Sequence, residues 1–403
     1  MQQRELRRVA LAFVPVLVAG GLWMVAGPEA QRDGGAAAAA PAWRQLPSGE
    51  PLFGHVLVTD AERERIVAVG GELADGGPPE PPLQFDLATD AWGVWTVGGR
   101  PPVSSRAGRG VLGAAAALYK ARSVVLAVCD CRDGGTYELD LARDLWSGAP
   151  GGDGGRVVSA GLAVDAGAER AVVFGGRDFG ITDILTRTQA YDLSAARSGW
   201  SALPDLPFQL QDQAVAVDPE ERAGHAFGGQ TMDGEAAGVL WRVDLSDVDA
   251  PGAWVTLEAE GPPARMGATL TSVGPGQAVL FGGYAEGAHF GDVWRLDTSD
   301  PAAPRWSSLA VPEPAPGPRA AHGAAWDPLG RRLIVYGGIT GIAPDLQVLD
   351  DAWALYLDGA PPVEATVAPS PTAAQPTPGA TETPAPQPRV PIYLPLALRS
   401  VGL

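Results

Sequence analysis

Five apolar runs in this chain stop at a pair of glycines, as in "RIVAVGG", "RAVVFGG", "QAVLFGG" and "RLIVYGG", and no other feature restricts the fold as tightly. The pairs are Gly70-Gly71, Gly175-Gly176, Gly228-Gly229, Gly282-Gly283 and Gly337-Gly338. From Gly175 onward they are spaced 53, 54 and 55 residues apart. The wider gap after Gly70 holds one more unit, in which the run "SVVLAV" ends in Cys129-Asp130 instead. Two further features keep the same phase. One is an Asp after an apolar or aromatic residue, at Asp86, Asp140, Asp192, Asp244 and Asp297. The other is Trp, at 43, 92 or 95, 146, 200, 254 and 306. Three features sharing a period of about 50 residues predict a repeat architecture of the propeller type.

Each unit reads as four strands. The run before Gly-Gly is rich in Val, Ile and aromatics, as a strand buried on both faces requires. Glycines at its end allow positive φ and close approach of a neighbouring chain where sheets crowd around an axis. The Asp is placed to accept backbone N–H groups in the turn between the third and fourth strands. The Trp is large enough to fill the gap between adjacent sheets. Features present in every unit serve the scaffold.

These residues resemble the kelch repeat, which joins an Arg-x-x-His-like inner strand, a Gly-Gly doublet, a Tyr-Asp strand and a Trp. Arg319 to His322 with Gly337 and Gly338 fit that pattern in the last unit. Pro263 to Gly267, Gly282, Gly283, Asp297 and Trp306 fit it in the fifth. Unit two lacks the glycines, and unit six has Tyr356 where the Asp is expected. The resemblance implies an all-β, six-bladed propeller over residues 42–360. No Trp follows the sixth unit's third strand, and Trp43 in "PAWRQLP" is unclaimed. The N-terminal segment is therefore predicted to supply the outer strand of the last blade, closing the ring and removing a sheet edge.

Both ends differ from this middle. Arg4, Arg7 and Arg8 precede an uncharged run from Val9 to Gly27, so 1–27 reads as a signal peptide or signal anchor that directs export and contacts a membrane. Residues 28–41 read as a low-complexity linker, and 361–389 as a Pro/Thr/Ala-rich, disordered stalk. The short apolar tail at 390–403 is too Pro-broken for a bilayer helix. It resembles C-terminal segments of some exported bacterial proteins, which implies a location at the cell surface. A net charge of −18 argues against nucleic acid as a partner. Lys120 is the only lysine.

Function is expected in what is not repeated, chiefly the loops between second and third strands, which share one face of a propeller. Arg177, Phe179, Tyr284, His289 and Phe290 are the candidate binding residues there. His55 and His322 stand fifteen residues before their Gly-Gly pairs in units one and six. They could share a metal, although repeat equivalence alone explains the match. His225 reads as a buried, hydrogen-bonded histidine. Cys129 and Cys131 read either as free thiols or as a small disulfide ring. No Gly-x-Ser-x-Gly, phosphate-cradling loop, His-Glu-x-x-His or calcium loop is present. The expectation is a monomeric, non-catalytic module without cofactor or bound metal that takes a protein or polysaccharide partner. The alternative is a sugar-modifying propeller enzyme of the cell envelope, of epimerase or lyase type.

Overall fold

The computed structural model describes residues 40–359, except 103, 105–108, 132–134, 150–156, 179–182, 195–198, 219 and 251. Within that span six antiparallel sheets of four strands follow one another, the second gaining a two-residue parallel strand at Gly98–Gly99. Their inner strands are Leu52–Asp60, Ala115–Tyr119, Gly161–Asp165, Ala214–Asp218, Thr269–Gly274 and Gly323–Asp327. Each inner strand contacts those of both neighbouring sheets, and the last contacts the first, so the sheets close into a six-bladed propeller. The predicted terminal segment at 1–27, nearly all of the 28–41 linker, and the stretches at 361–389 and 390–403 lie outside the described residues. No helix among the described residues is long and apolar enough to cross a membrane.

Ring closure follows the expectation from Trp43. Ala42–Leu46 is the outer strand of the sixth blade, paired antiparallel with Ala352–Tyr356 so that Ala42 faces Tyr356 and Leu46 faces Ala352. Trp43 is 5% exposed, and its ring centroid lies 5.3 Å from that of Phe281 in blade five. The same contact recurs around the ring: the outer-strand Trp of one blade packs on the second strand of the preceding blade. Trp92 stacks on Tyr336 at 3.9 Å, Trp254 meets Phe174 at 4.5 Å and Trp306 meets Phe227 at 5.1 Å. Trp146 and Trp200 find aliphatic partners instead, Val67 with Val69 and Leu126 with Val128.

The glycine pairs have a two-part cause. A Cβ on Gly70, Gly175, Gly228, Gly282 or Gly337 would lie 2.2–2.7 Å from a backbone oxygen of the next blade. The N–H of the second glycine donates to that same oxygen, at 2.6 Å for Gly71 to Val111 and 2.8 Å for the other four. The doublet is thus the weld between blades, and only glycine lets the two backbones come this close. In blade two the position is taken by a Cys129–Cys131 disulfide, with both residues fully buried. The third-strand Asp residues cap their turns as expected: Asp86 accepts from the N–H groups of Ala88 and Thr89, and Asp140 from those of Ala142 and Arg143.

Arginine joins the blades at the opposite edge. Arg332, Arg65, Arg122 and Arg170 each donate to a backbone carbonyl of the following blade, those of Leu87, Leu141, Leu193 and Leu245. A guanidinium can bond a carbonyl and a carboxylate at once, which a lysine ammonium does less well. Arg65 also reaches Asp144 at 2.7 Å, and Arg170 reaches Asp249 at 2.7 Å.

Candidate functional site: the loop face and the axial mouth

Inner strands start, and second strands end, at one edge of the ring. That edge therefore carries the interblade linkers and the loops between second and third strands. At its centre the residues two before each inner-strand core form a hoop. Gly54 donates its N–H to the Ala321 carbonyl, Gly113 to Gly54, Ser159 to Gly113, Asp212 to Ser159, Gly267 to Asp212 and Ala321 to Gly267, at 2.7–3.0 Å. The six bonds close on themselves around the axis. All six residues have φ between 52° and 67°, and Ser159, Asp212 and Ala321 adopt it without being glycine. Such backbone is costly for a non-glycine residue and is held here by the hoop.

The hoop rims an axial cavity of about 240 Å³ lined by all six inner strands. Its walls are mostly Gly, Ala, Val and Leu, with Asp212, Ser159, Gln213, Thr269, His55 and His322 as the polar groups. Asp212 Oδ2 is buried without a hydrogen-bond partner. Burial pushes the Asp212 carboxyl up from its usual range, while the Ser159 hydroxyl and the Arg177 charge draw it back. His55 and His322 each lean into the preceding blade. His322 shares a 2.9 Å hydrogen bond with Thr269 and sits edge-on to Phe281. His55 sits edge-on to Tyr336, but the residue matching Thr269 is Gly323, so neither ring nitrogen of His55 has a partner. Burial lowers His55 to about 3, and burial with the nearby Arg319 charge holds His322 well below the usual range. Both are interblade packing residues. Among the described residues no three His, Cys, Asp or Glu side chains converge as metal ligands would.

The sequence-predicted binding residues fare unequally. Arg177 is half-buried beside the mouth, bridged through its backbone to Val158 and Ile184. Phe179 lies outside the described residues. Tyr284 is 2% exposed and packs with Met266 and Ala320, which corrects its reading as an exposed contact. Its backbone bridges Met266 just as Ile339 bridges Ala320, so it fills an apolar slot of the repeat. His289 is half-buried against Tyr284, ring centroids 5.0 Å apart, and burial lowers its pKa. Phe290 is half-buried, with the Arg265 guanidinium 4.0 Å above its ring. His225 is buried as expected, but its Nε2 has no hydrogen-bond partner, and burial lowers it to about 4.

Arg265 and Arg319 are fully buried and alike. Arg265 grips Asp292 at 2.6 and 2.9 Å and donates to the Gly282 carbonyl, while Arg319 grips Asp351 at 2.7 and 2.8 Å and donates to that of Gly337. Trp294 and Trp353 donate to the same two carboxylates. Each clamp fixes the base of a loop to its own Gly-Gly, so the loops of blades five and six stand on rigid footings. Asp212 was not singled out by sequence reading, because it belongs to no motif and its slot holds glycine in three of the six blades.

Six blades, welded by glycine doublets and sealed by one Trp each, define the class as a closed β-propeller with an unrepeated loop face. Its repeats are similar to those of kelch proteins: residues 161–360 match the family model described as the KLHDC2/KLHL20/DRC7 Kelch-repeats domain. An F-box/kelch-repeat protein of Arabidopsis thaliana is 38% identical over 118 residues, 28% of this chain and 24% of that protein. Adagio-like protein 3 of Oryza sativa subsp. japonica is 28% identical over 280 residues, 65% of this chain and 42% of that protein. The flagellar outer-arm dynein alpha chain of Chlamydomonas reinhardtii is 42% identical over 87 residues, 20% of this chain and 2% of that protein. The chain thus spans less than half the length of these relatives. They come from plants and an alga and lend no support to the bacterial origin that the C-terminal segment's resemblance implied.

Proposed function

We propose that this propeller is a non-catalytic interaction module whose loop face takes a protein partner. The observation that carries the reading is the division of labour around the ring. Repeated polar groups are consumed by welds, turn caps and clamps, while the unrepeated side chains stand on one rigid face. Kelch propellers typically serve protein interaction, which agrees with it. A polysaccharide partner is the weaker half of the original expectation, since a sugar ring needs an open aromatic face. Tyr284 is buried and Phe290 is covered by Arg265.

We also propose that the chain works in an oxidising compartment at the cell surface. The Cys129–Cys131 disulfide favours it, because such bonds persist outside the reducing cytosol. The basic-then-apolar stretch at the N-terminus agrees. Proteolysis of intact cells, read by loss of the full-length band, tests this; complete protection of the propeller overturns it.

The partner reading is tested by placing a photo-crosslinking residue at Ile342, on the loop face, or at Leu329, on the opposite edge; both are exposed. Protein adducts are expected from position 342. Adducts from position 329 alone would overturn the reading, and selective capture of glycans by the same protein would replace it.

A further inference from the structure

The loop face is electrically lopsided. Over blades four to six it carries Asp233, Glu235, Glu286, Glu313, Asp345 and Asp350, all exposed. The two arginines in this part of the face are both withdrawn, since Arg265 and Arg319 are buried and each is bound bidentately by its own Asp. Burial of His289 disfavours its charged form. Blades one to three also carry exposed carboxylates there, Asp75, Glu80, Asp183 and Asp205, but Arg100, Arg177 and Arg187 belong to the same loops and linkers. Among the carboxylates of the acidic half stand two large apolar side chains, Met232 at 49% and Ile342 at 52% exposure. At the centre of the face, Asp212 Oδ2 lacks a partner where it lines the mouth.

We infer that the loop face over blades four to six docks a basic segment of a partner protein, one that alternates Lys or Arg with apolar residues. Charge complementarity gives the cationic half: opposed patches raise the on-rate and exclude acidic competitors. Met232 and Ile342 give the apolar half, as contacts buried on docking while the carboxylates form the polar rim. The inference rests on the loop-face reading and narrows its partner to one charge class.

Fluorescence anisotropy of the full chain with a labelled peptide alternating arginine and leucine tests it, beside versions carrying glutamate or serine in place of arginine. Only the basic peptide is expected to bind. Its affinity should fall about tenfold in a variant combining Asp233→Asn, Glu235→Gln, Glu286→Gln and Asp345→Asn. It should also fall as salt is raised. Glu62→Gln with Glu220→Gln, on the opposite edge, should leave it unchanged. Equal binding by the four-substitution variant overturns the inference, as does a basic peptide that fails to bind. Binding of the glutamate peptide, lost on Met232→Ser with Ile342→Ser, would overturn the charge assignment and leave the loop-face reading standing. Crosslinking from position 342 separates the two in the same way.

Discussion

Replacing Trp43 by alanine tests the closure of the ring most directly. The side chain is 5% exposed and lies among Phe281, Val279, Leu333, Val335 and Leu355. A tryptophan of this kind buries about 200 Å². At about 25 cal/mol per Å² that is about 5 kcal/mol, an upper estimate because the unfolded chain is itself partly compact. Measured Trp→Ala losses run at about 3–5 kcal/mol, so about 4 kcal/mol is expected. In a domain of this size that lowers Tm by about 6 °C. Circular dichroism melts of the wild type, Trp43→Ala and Val94→Ala supply the comparison. Val94 also stands on an outer strand but is 62% exposed, and its loss should cost no more than about 0.5 kcal/mol. If Trp43→Ala and Val94→Ala melt together, the N-terminal strand does not seal the ring and the reasoning fails.

Three other outcomes follow from the same contacts. Gly228→Ala drives a Cβ to 2.3 Å from the Arg265 carbonyl oxygen at φ +70° and should cost about 2 kcal/mol or more, whereas Gly93→Ala, with open space around it, should be neutral or slightly stabilising in urea titrations. Arg319→Ala leaves Asp351 and the Gly337 carbonyl without their main donor, and should cost about 3 kcal/mol, read as a lower urea midpoint; an unchanged midpoint would refute the clamp. His55 is neutral in the fold down to about pH 3, but in the unfolded chain it takes a proton below about 6.5. Its contribution is complete above that value and is lost as pH falls, by about 2 kcal/mol at about pH 5. Urea midpoints of the wild type should drop on acidification, less steeply in His55→Phe; parallel slopes would exclude the histidine.

The ring was legible because every blade solves the same packing problem with the same residue types. Gly228 and Gly282 mark welds, Asp86 and Asp297 mark turn caps, and Trp254 and Trp306 mark seals, so one period carried three kinds of evidence. Even the missing Trp of the sixth unit was informative, since only Trp43 was left to fill the seam. The site was less legible. Tyr284 resembled an exposed aromatic because it lies in a loop, yet aligning it with Ile339 would have placed it in an apolar slot. Asp212 carries no motif, and its partnerless oxygen depends on a left-handed backbone that sequence marks with glycine in only half of the hoop. Pairings across blades, such as His322 with Thr269, depend on distances that no spacing along the chain encodes.

The pairing of Ala42 with Tyr356 has a mechanical consequence. The chain comes into the ring and leaves it side by side, on the edge away from the loops, through two antiparallel strands that end together. Tension applied through the flanking segments would therefore peel Ala42–Leu46 from Ala352–Tyr356 one rung at a time, with no cooperative resistance from the rungs behind. The seam that makes the propeller thermally sound is also where a pull would begin to open it, with Trp43 among the first side chains to leave its socket.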